Sequence, residues 1–398
     1  MNPRLVRNVV GNFEEAGWDY GIKKSPYARF HVENGAKYCI YNNRLMPVTQ
    51  AIDRSDGYWA LRTGVALFDV GERPIEILGP DAERLCNYLF TRDCSKLKVG
   101  RAGYGILCYP DGGVLCDGIL MRLEQNRFWY VQADGPVFSW LVAHKAGMDV
   151  VVRDPGSWVA QVQGPAAFDV LAAASDDGMP EPFGYFGVAR ASFGGQPVLL
   201  SRTGWTAELG FEFYTLPEER ELDGEALWEH VRSAGRPHDL QVAGLDAMDI
   251  RRIEAGILNN LSDMDSTMTP FQAGIGGVVN FDKGEFIGKE VLEQADRRTR
   301  LYGIVCDEAE PLFGSSVRAG ERSIGAVTAA AWSPYLEAGI GFVCLDDPDL
   351  SDVKDVQITG RDLADHPGRI VDLPMYDVDK KIPRGKAVEE WSRERVSG

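Results

Sequence analysis

The chain has 398 residues, with 42 Lys+Arg against 59 Asp+Glu and a net charge of -17. Hydrophobic residues make up 44% and charged residues 25%, an ordinary globular balance that excludes a disordered or fibrous chain. The acidity argues against a general nucleic-acid binder, which needs a positive field to displace counterions, and against docking on anionic membranes.

In chain order, the opening MNPRLVRNVVGNFEEAGWDY turns acidic before an apolar core can form, so no signal peptide is expected. No run of 18 or more apolar residues predicts a membrane span. The 7 cysteines are scattered without a CxxC pair, which predicts buried free thiols in a reduced, cytoplasmic protein. Alternation in KYCIYNNRLMPV predicts one short strand ending before Pro47. A helix is expected around Tyr58–Arg62, then a short strand into Phe68.

A local repeat follows. Arg73–Leu89 and Val159–Ala174 both read as an alternating strand, a Gly-Pro turn and a helix. Pro80 and Pro165 are expected in first helical turns, where a missing N–H costs little. With no third copy, the pattern predicts two related lobes rather than a solenoid. Between the copies, strands are expected at Tyr104–Pro110, Gly113–Leu123 and Phe128–Asp134, separated by PDGG and EQNR turns as in an antiparallel meander. Helices are expected at Pro136–Ala146, Glu225–Ala234 and Leu245–Ala255, and strands at Val198–Gly204 and Leu209–Thr215. The basic stretch Arg297–Arg300 marks a hinge. Residues 1–296 therefore form a module of two interleaved lobes, and 297–398 a small all-β domain whose tail, KAVEEWSRERVSG, is expected to fray.

Chemistry-bearing motifs are mostly negative. There is no GxxxxGK[ST] loop, no HExxH helix and no GxSxG elbow. GRAGYG (residues 100–105) opens no clear helix. The 5 histidines lack metal-ligand spacing, and no metal is expected. Asp117 stands out in apolar GGVLCDGILM, where a carboxylate must be paired, face a cleft, or point to solvent from a strand edge. Glu212 lies between aromatics in LGFEFYT. Alternation puts Phe211 and Phe213 on one face and Glu212 with Tyr214 on the other, which in a half-exposed strand is the solvent side. Facing a cleft instead, Glu212 can accept two hydrogen bonds from a planar heterocycle. Tyr104, Trp129, Tyr130, Tyr185, Phe186 and Trp205 are walls for a planar ligand or ordinary core. Arg251, Arg252 and Glu254 could line a site, with surface pairing on their helix as the default expectation.

Taken in order, ALFDV, EILGPDAERL, TRD, YPDGGVLCD, VQGP, SRTGWTAELGFEFY, AGLDAMDIRRIEAG and TPFQAGIGGVVNFDKGEFIGKEVL, with a weaker AWSPYLEAGIGFV, resemble the glycine cleavage T-protein family. These are folate-dependent aminomethyltransferases and their demethylase relatives. The resemblance implies a three-lobed, cloverleaf-like α+β fold with tetrahydrofolate in a central channel and a C-terminal β-barrel. It implies that Asp117 is the catalytic aspartate near the folate nitrogens, with Cys116 replacing its acidic neighbour. Glu212 is implied as the folate-binding glutamate, and Tyr104, Trp205, Tyr185, Ile119 and Gln132 as further folate contacts. Trp129, with Trp205 and Tyr185, would cage a cationic donor by cation–π attraction.

The chain departs from the family pattern at FDVGERP, where Glu72 and Arg73 replace a His-Met pair, and at Met248, which replaces a folate-site arginine. These changes fit a remodelled donor pocket, similar to dimethylsulfoniopropionate demethylases, and make Glu72 and Arg73 candidate donor contacts. The implied activity is transfer of a methyl or aminomethyl group from a small donor to tetrahydrofolate. The alternatives are a non-enzymatic folate-binding protein, or a folate-trapping subunit served by an oxidase partner.

Overall fold

The structure, a computed structural model, describes residues 22–386. The opening segment and the KAVEEWSRERVSG tail lie almost wholly outside the described residues.

A five-stranded antiparallel sheet runs in spatial order Arg101–Cys108, Val114–Glu124, Arg127–Gln132, Arg73–Leu78, Val151–Arg153. The PDGG turn ends the first of these hairpins, as expected. A six-stranded sheet runs Val188–Phe193, Gln196–Ser201, Gly210–Thr215, Val159–Gln163, Ala66–Val70, Gln241–Val242. Its last pair alone is parallel. The remaining strands, from Leu301–Cys306 to Asp365–Val371, close into a six-stranded barrel. The fold is therefore mixed α+β with a C-terminal barrel. GRAGYG lies largely inside the strand Arg101–Cys108 and opens no helix. No helix among the described residues is long and apolar enough to cross a membrane.

Both strand–Gly-Pro–helix units form, one in each sheet. Their helices are Ala82–Leu89 and Ala167–Ala174. Pro80 and Pro165 sit one residue before the caps Asp81 and Ala166, not in a first helical turn. The preceding glycines carry the constraint. Gly79 has φ +139° and Gly164 φ +125°, and a Cβ would meet Asp149 O at 2.5 Å or Gly64 O at 2.6 Å. Gly164→Ala therefore combines a strained backbone with a clash against main chain, and is expected to cost about 2 kcal/mol or more in a urea titration.

The segment from Lys37 forms a hairpin instead of one strand. Lys37–Tyr41 pairs with Arg44–Thr49, and Pro47 lies within the second strand. Asn42 and Asn43 both take positive φ, 53° and 58°, the pair that a tight two-residue turn requires and that asparagine tolerates. Helices Ala28–Glu33 and Lys289–Gln294 and strand Val188–Phe193 are further elements that the pattern of the sequence did not mark.

The two sheets face each other across a shared apolar layer. Phe68, Val70, Val159, Leu199 and Tyr214 from one meet Met121, Trp129 and Val131 from the other. The chain crosses between the sheets at Gly71 and Glu72, which join strand Ala66–Val70 to strand Arg73–Leu78.

The helix Leu245–Glu254 is buried on several sides, against helix Arg54–Thr63, the hairpin and the barrel. Arg251, Arg252 and Glu254 are thus core groups rather than surface pairs, at 1%, 4% and 0% exposure. Glu254 accepts from Tyr58 Oη at 2.7 Å, from Ser333 Oγ at 2.6 Å and from Tyr376 Oη at 2.5 Å. Arg251 bonds Glu208 at 2.7 Å, and Arg62 bonds the same carboxylate oxygen. Glu254 thereby ties the helix Arg54–Thr63, the barrel and the C-terminal segment together.

Candidate active site

Strand register decides which side chains meet. Tyr104 lies directly opposite Ile119, and Asp117 is two residues before Ile119 on the same face. A diagonal neighbour is within reach of a long side chain, and Tyr104 Oη donates to Asp117 Oδ2 at 2.8 Å. Asp117 is 8% exposed, and its Oδ1 is buried with no partner among the described residues. Burial pushes its carboxyl up to about 6, with the Tyr104 hydrogen bond opposing. The solvent-facing strand-edge reading of Asp117 is thereby overturned.

Glu212 is also buried rather than solvent-facing. Every residue of its strand, Gly210–Thr215, is buried. The expected alternation holds, but both faces are covered. Phe211 and Phe213 pack outward under the helices, and Tyr214 joins the layer between the sheets. Glu212 accepts from Gln161 Nε2 at 2.8 Å, Thr203 Oγ1 at 2.6 Å and Tyr214 Oη at 2.5 Å. Burial raises its carboxyl above the ordinary range.

Glu72 lies at the crossing of the sheets, on the Glu212 side. Gln161 Nε2 donates to Glu72 Oε1 at 3.2 Å as well as to Glu212, so a single amide bridges the two carboxyls. Burial first, and then the nearby Glu212 charge, raise the Glu72 carboxyl. Its Oε2 is buried without a partner among the described residues, as is Gln161 Oε1.

The hairpin tip covers this end of the five-stranded sheet. The Tyr41 ring packs against Gly71, where a Cβ would stand 3.1 Å from it. The Tyr41 phenol is raised by burial and by the charges of Glu72, Asp117, Cys116 and Asp134. Asn42 N–H donates to Asp134 Oδ1 at 3.4 Å, and Asn42 Nδ2 to Gln132 O at 3.3 Å. Arg44 is 2% exposed and donates to Glu72 O at 2.9 Å and Ser157 O at 2.7 Å, with its guanidinium 4.0 Å from the Trp158 ring centre. Tyr41 and Gln161 were not among the residues expected from sequence. Gln161 lies two residues before the VQGP turn, and the Asn-Asn turn was the available signal for the hairpin.

The other expected residues divide. Tyr185 lines one cleft, together with Thr203, Glu208, Arg251, Tyr376 and Lys380, of which Thr203 was not expected from sequence. Thr203 is the Glu212 donor, so this cleft reaches the Glu212 side of the site. Trp205 donates to Leu258 O at 3.3 Å and lies beneath the Arg252 guanidinium, 5.1 Å from it. Gln132 pairs in register with Gly118, which puts it on the opposite face from Asp117. Its amide donates to Asn42 Oδ1 at 2.7 Å, so it braces the hairpin. Arg73 is engaged by Asp154 at 2.9 Å. Trp129 is 0% exposed, and its indole N–H donates to Glu76 at 3.0 Å. It sits deeper in the apolar layer and presents no open face for a cation, because register pairs it with Met121, beyond Ile119. Met248 is buried in the same layer, at 1% exposure.

The arrangement offers two buried carboxyl centres, from two different sheets, facing one layer. Three buried acceptor oxygens at these centres and at the crossing lack donors among the described residues: Asp117 Oδ1, Glu72 Oε2 and Gln161 Oε1. A buried acceptor without a donor costs free energy. A ligand bearing N–H groups would satisfy them, as the amide and amine edge of a pterin does. The acceptor set thus fits the N–H edge of a reduced folate.

Comparisons with known proteins bear on the family and the fold. Residues 27–283 match the GCVT N-terminal domain, and residues 299–377 match the glycine cleavage T-protein C-terminal barrel domain. An aminomethyltransferase from Streptomyces coelicolor is 33% identical, covering 90% of this chain and 99% of that protein. One from Bacillus pumilus is 31% identical, covering 89% and 99%. A trimethylamine-oxide aldolase from Ruegeria pomeroyi is 34% identical over 82% of this chain and 43% of its own length. The crystal structure of aminomethyltransferase T from Bartonella henselae superposes with a TM-score of 0.79 at 24% identity, over 89% of this chain and 98% of that one, which shows the shared fold. The chain belongs to the glycine cleavage T-protein family, whose members include the aminomethyltransferases.

Proposed function

We propose that this chain transfers a one-carbon unit, methyl or aminomethyl, from a small donor to tetrahydrofolate. The observation that carries the reading is a buried carboxyl from each sheet, Asp117 held by Tyr104 and Glu212 held by Thr203, with acceptor oxygens of Asp117, Glu72 and Gln161 left without donors among the described residues. Family membership supports it. Tetrahydrofolate supplies the nitrogen that accepts the carbon.

The chain's own residues orient and shield. Glu212, already fixed by Thr203, Tyr214 and Gln161, holds a donor edge of the pterin in one orientation. Asp117, held by Tyr104, keeps its free Oδ1 toward the reacting end. There it takes a proton or stabilises positive charge. Ile119 and the apolar layer exclude water. Tyr185 and Thr203 flank the cleft by which ligand reaches Glu212. The free buried cysteines suit a cytoplasmic setting.

A demethylase is favoured over a carrier-dependent aminomethyltransferase, because Glu72, Arg73 and Met248 replace family residues. The relative that acts on trimethylamine oxide supports a small methylated nitrogen compound as donor.

The test is mass spectrometry of the folate product after incubation with tetrahydrofolate and a panel of sulfonium, amine and aryl-ether donors. Methyl-tetrahydrofolate is expected. Methylene-tetrahydrofolate from an aminomethyl donor would return the chain to ordinary aminomethyl transfer. Absence of product, with folate bound, would leave a folate-binding protein or one that needs a separate oxidase. Activity requires Asp117 ionised, so kcat/KM is expected to fall as pH drops through about 6. A profile flat between pH 5 and 7 would contradict this role.

A further inference from the structure

The acceptors around the sheet crossing exceed what one pterin edge uses, and no cationic side chain satisfies them. Ile119, Val131 and Pro74 are in register across three strands of the five-stranded sheet, and Asp117 and Glu72 precede Ile119 and Pro74 by two residues, so both lie at the same end of that sheet, Glu72 in the crossing just before its strand. Both carboxyls keep one buried oxygen without a partner among the described residues. Arg44, the nearest buried guanidinium, is spent on the carbonyls of Glu72 and Ser157 and on the Trp158 ring. Tyr41 closes this end from the hairpin, with its phenol within electrostatic reach of Glu72, Asp117 and Asp134.

Resting on the one-carbon reading above, we infer that Glu72, Asp117 and Tyr41 form a recognition site for a small organic cation. The cation is the positively charged part of the one-carbon donor, and Glu72 is the residue that selects it. The site needs positive charge for a physical reason. Burial disfavours the charged form of both carboxyls, the Glu212 charge adds to this at Glu72, and each lacks a donor on one oxygen. A cation between them offsets both costs, and an aromatic ring beside it adds attraction. A neutral donor of the same shape offsets neither. The groups facing Glu72 are Glu212, Gln161, Arg44, Asp69, Tyr41 and Tyr214, and Asp69 is engaged by His31 at 3.0 Å. Burial and Glu212 favour the protonated Glu72 in the free protein. Cation binding must therefore displace a proton from it.

The experiment is calorimetric titration of the full chain at pH 7 in buffers of different ionisation enthalpy. The probes are tetramethylammonium, methylammonium and tert-butanol, the last a neutral counterpart of similar size. At least one cation is expected to bind about tenfold or more tightly than tert-butanol, with proton release. Glu72→Gln is expected to lose both the preference and the release, and Glu72→Asp, which keeps the charge, to retain the preference. Tighter methylammonium would identify an N–H-bearing donor, and tighter tetramethylammonium a quaternary one; either result supports the site. Equal binding of tert-butanol, or an unchanged preference in Glu72→Gln, would overturn it. Tetrahydrofolate is titrated in parallel. Cation binding without folate binding would sink the one-carbon reading while leaving the cation site. Folate binding without cation preference would do the reverse.

Discussion

Asp117→Asn is expected to lower kcat by about a hundredfold or more and to leave tetrahydrofolate affinity within a few-fold of wild type. The asparagine keeps an oxygen for the Tyr104 hydroxyl, so the geometry survives. What it loses is the negative charge beside the reacting end of the folate. Steady-state kinetics together with a folate titration separate the two effects, and an unchanged kcat removes Asp117 from the chemistry. The same substitution is expected to raise stability at pH 7. The folded carboxyl titrates at about 6 and the unfolded one near 3.8. Between these values the native state holds the proton more tightly, so stability falls as pH rises through the window. Above about pH 6 the full cost of a buried charge is present, on the order of 1–3 kcal/mol for a shift of this size. Asparagine does not carry that cost. Its advantage in a urea titration should appear at pH 7 and disappear below about pH 4. Gain of stability with loss of turnover is the signature of a strained functional group.

Glu254→Ala is expected to destabilise the fold by about 3–5 kcal/mol, because it leaves a buried ion cluster incomplete. Tyr58, Ser333 and Tyr376 lose their common acceptor. Arg251, 1% exposed, keeps as its carboxylate partner Glu208, which it shares with Arg62, and a long bond to Ala207 O. Its Nη1 already lacks a hydrogen bond among the described residues and stands 3.7 Å from Glu254. Denaturant unfolding of the full chain checks this, and a loss below about 1 kcal/mol would show that the cluster relaxes around the gap. Activity should fall only in proportion to folded protein, since Glu254 touches neither carboxyl centre.

The strands of the meander, the barrel and the paired Gly-Pro units were legible because their patterns are local. Turn residues stand between alternating runs, and Gly79 and Gly164 mark backbone that other residues resist. Burial was not legible. Glu212 alternates with Phe211 and Phe213 as a solvent-facing residue would, but a second sheet covers its face. Arg251, Arg252 and Glu254 occupy what reads as a polar helix face, and their partners come from distant segments. The residues nearest the site that went unmarked, Tyr41 and Gln161, act through tertiary placement. Nothing in the run KYCIYNN announces that a tyrosine will lie beside Gly71. The family resemblance supplied Asp117, Tyr104 and Glu212; the structure buries both carboxyls and joins Tyr104 to Asp117. It also supplied Trp129 and Gln132, which register sends to the apolar interior and to the hairpin side.

The apolar core that unites the lobes has a consequence for how the molecule comes apart. Tyr58, Ile106, Ile250 and Ile253 share one cluster with Leu301, Ile340 and Phe342 of the barrel. A barrel severed from the rest would expose that surface to water and lose the partner of Ser333. It is not built as an autonomous unit of folding. Calorimetry should record one cooperative transition rather than a separate melting of the barrel. Exchange of barrels between related proteins would then succeed only when the wall that receives them is exchanged as well.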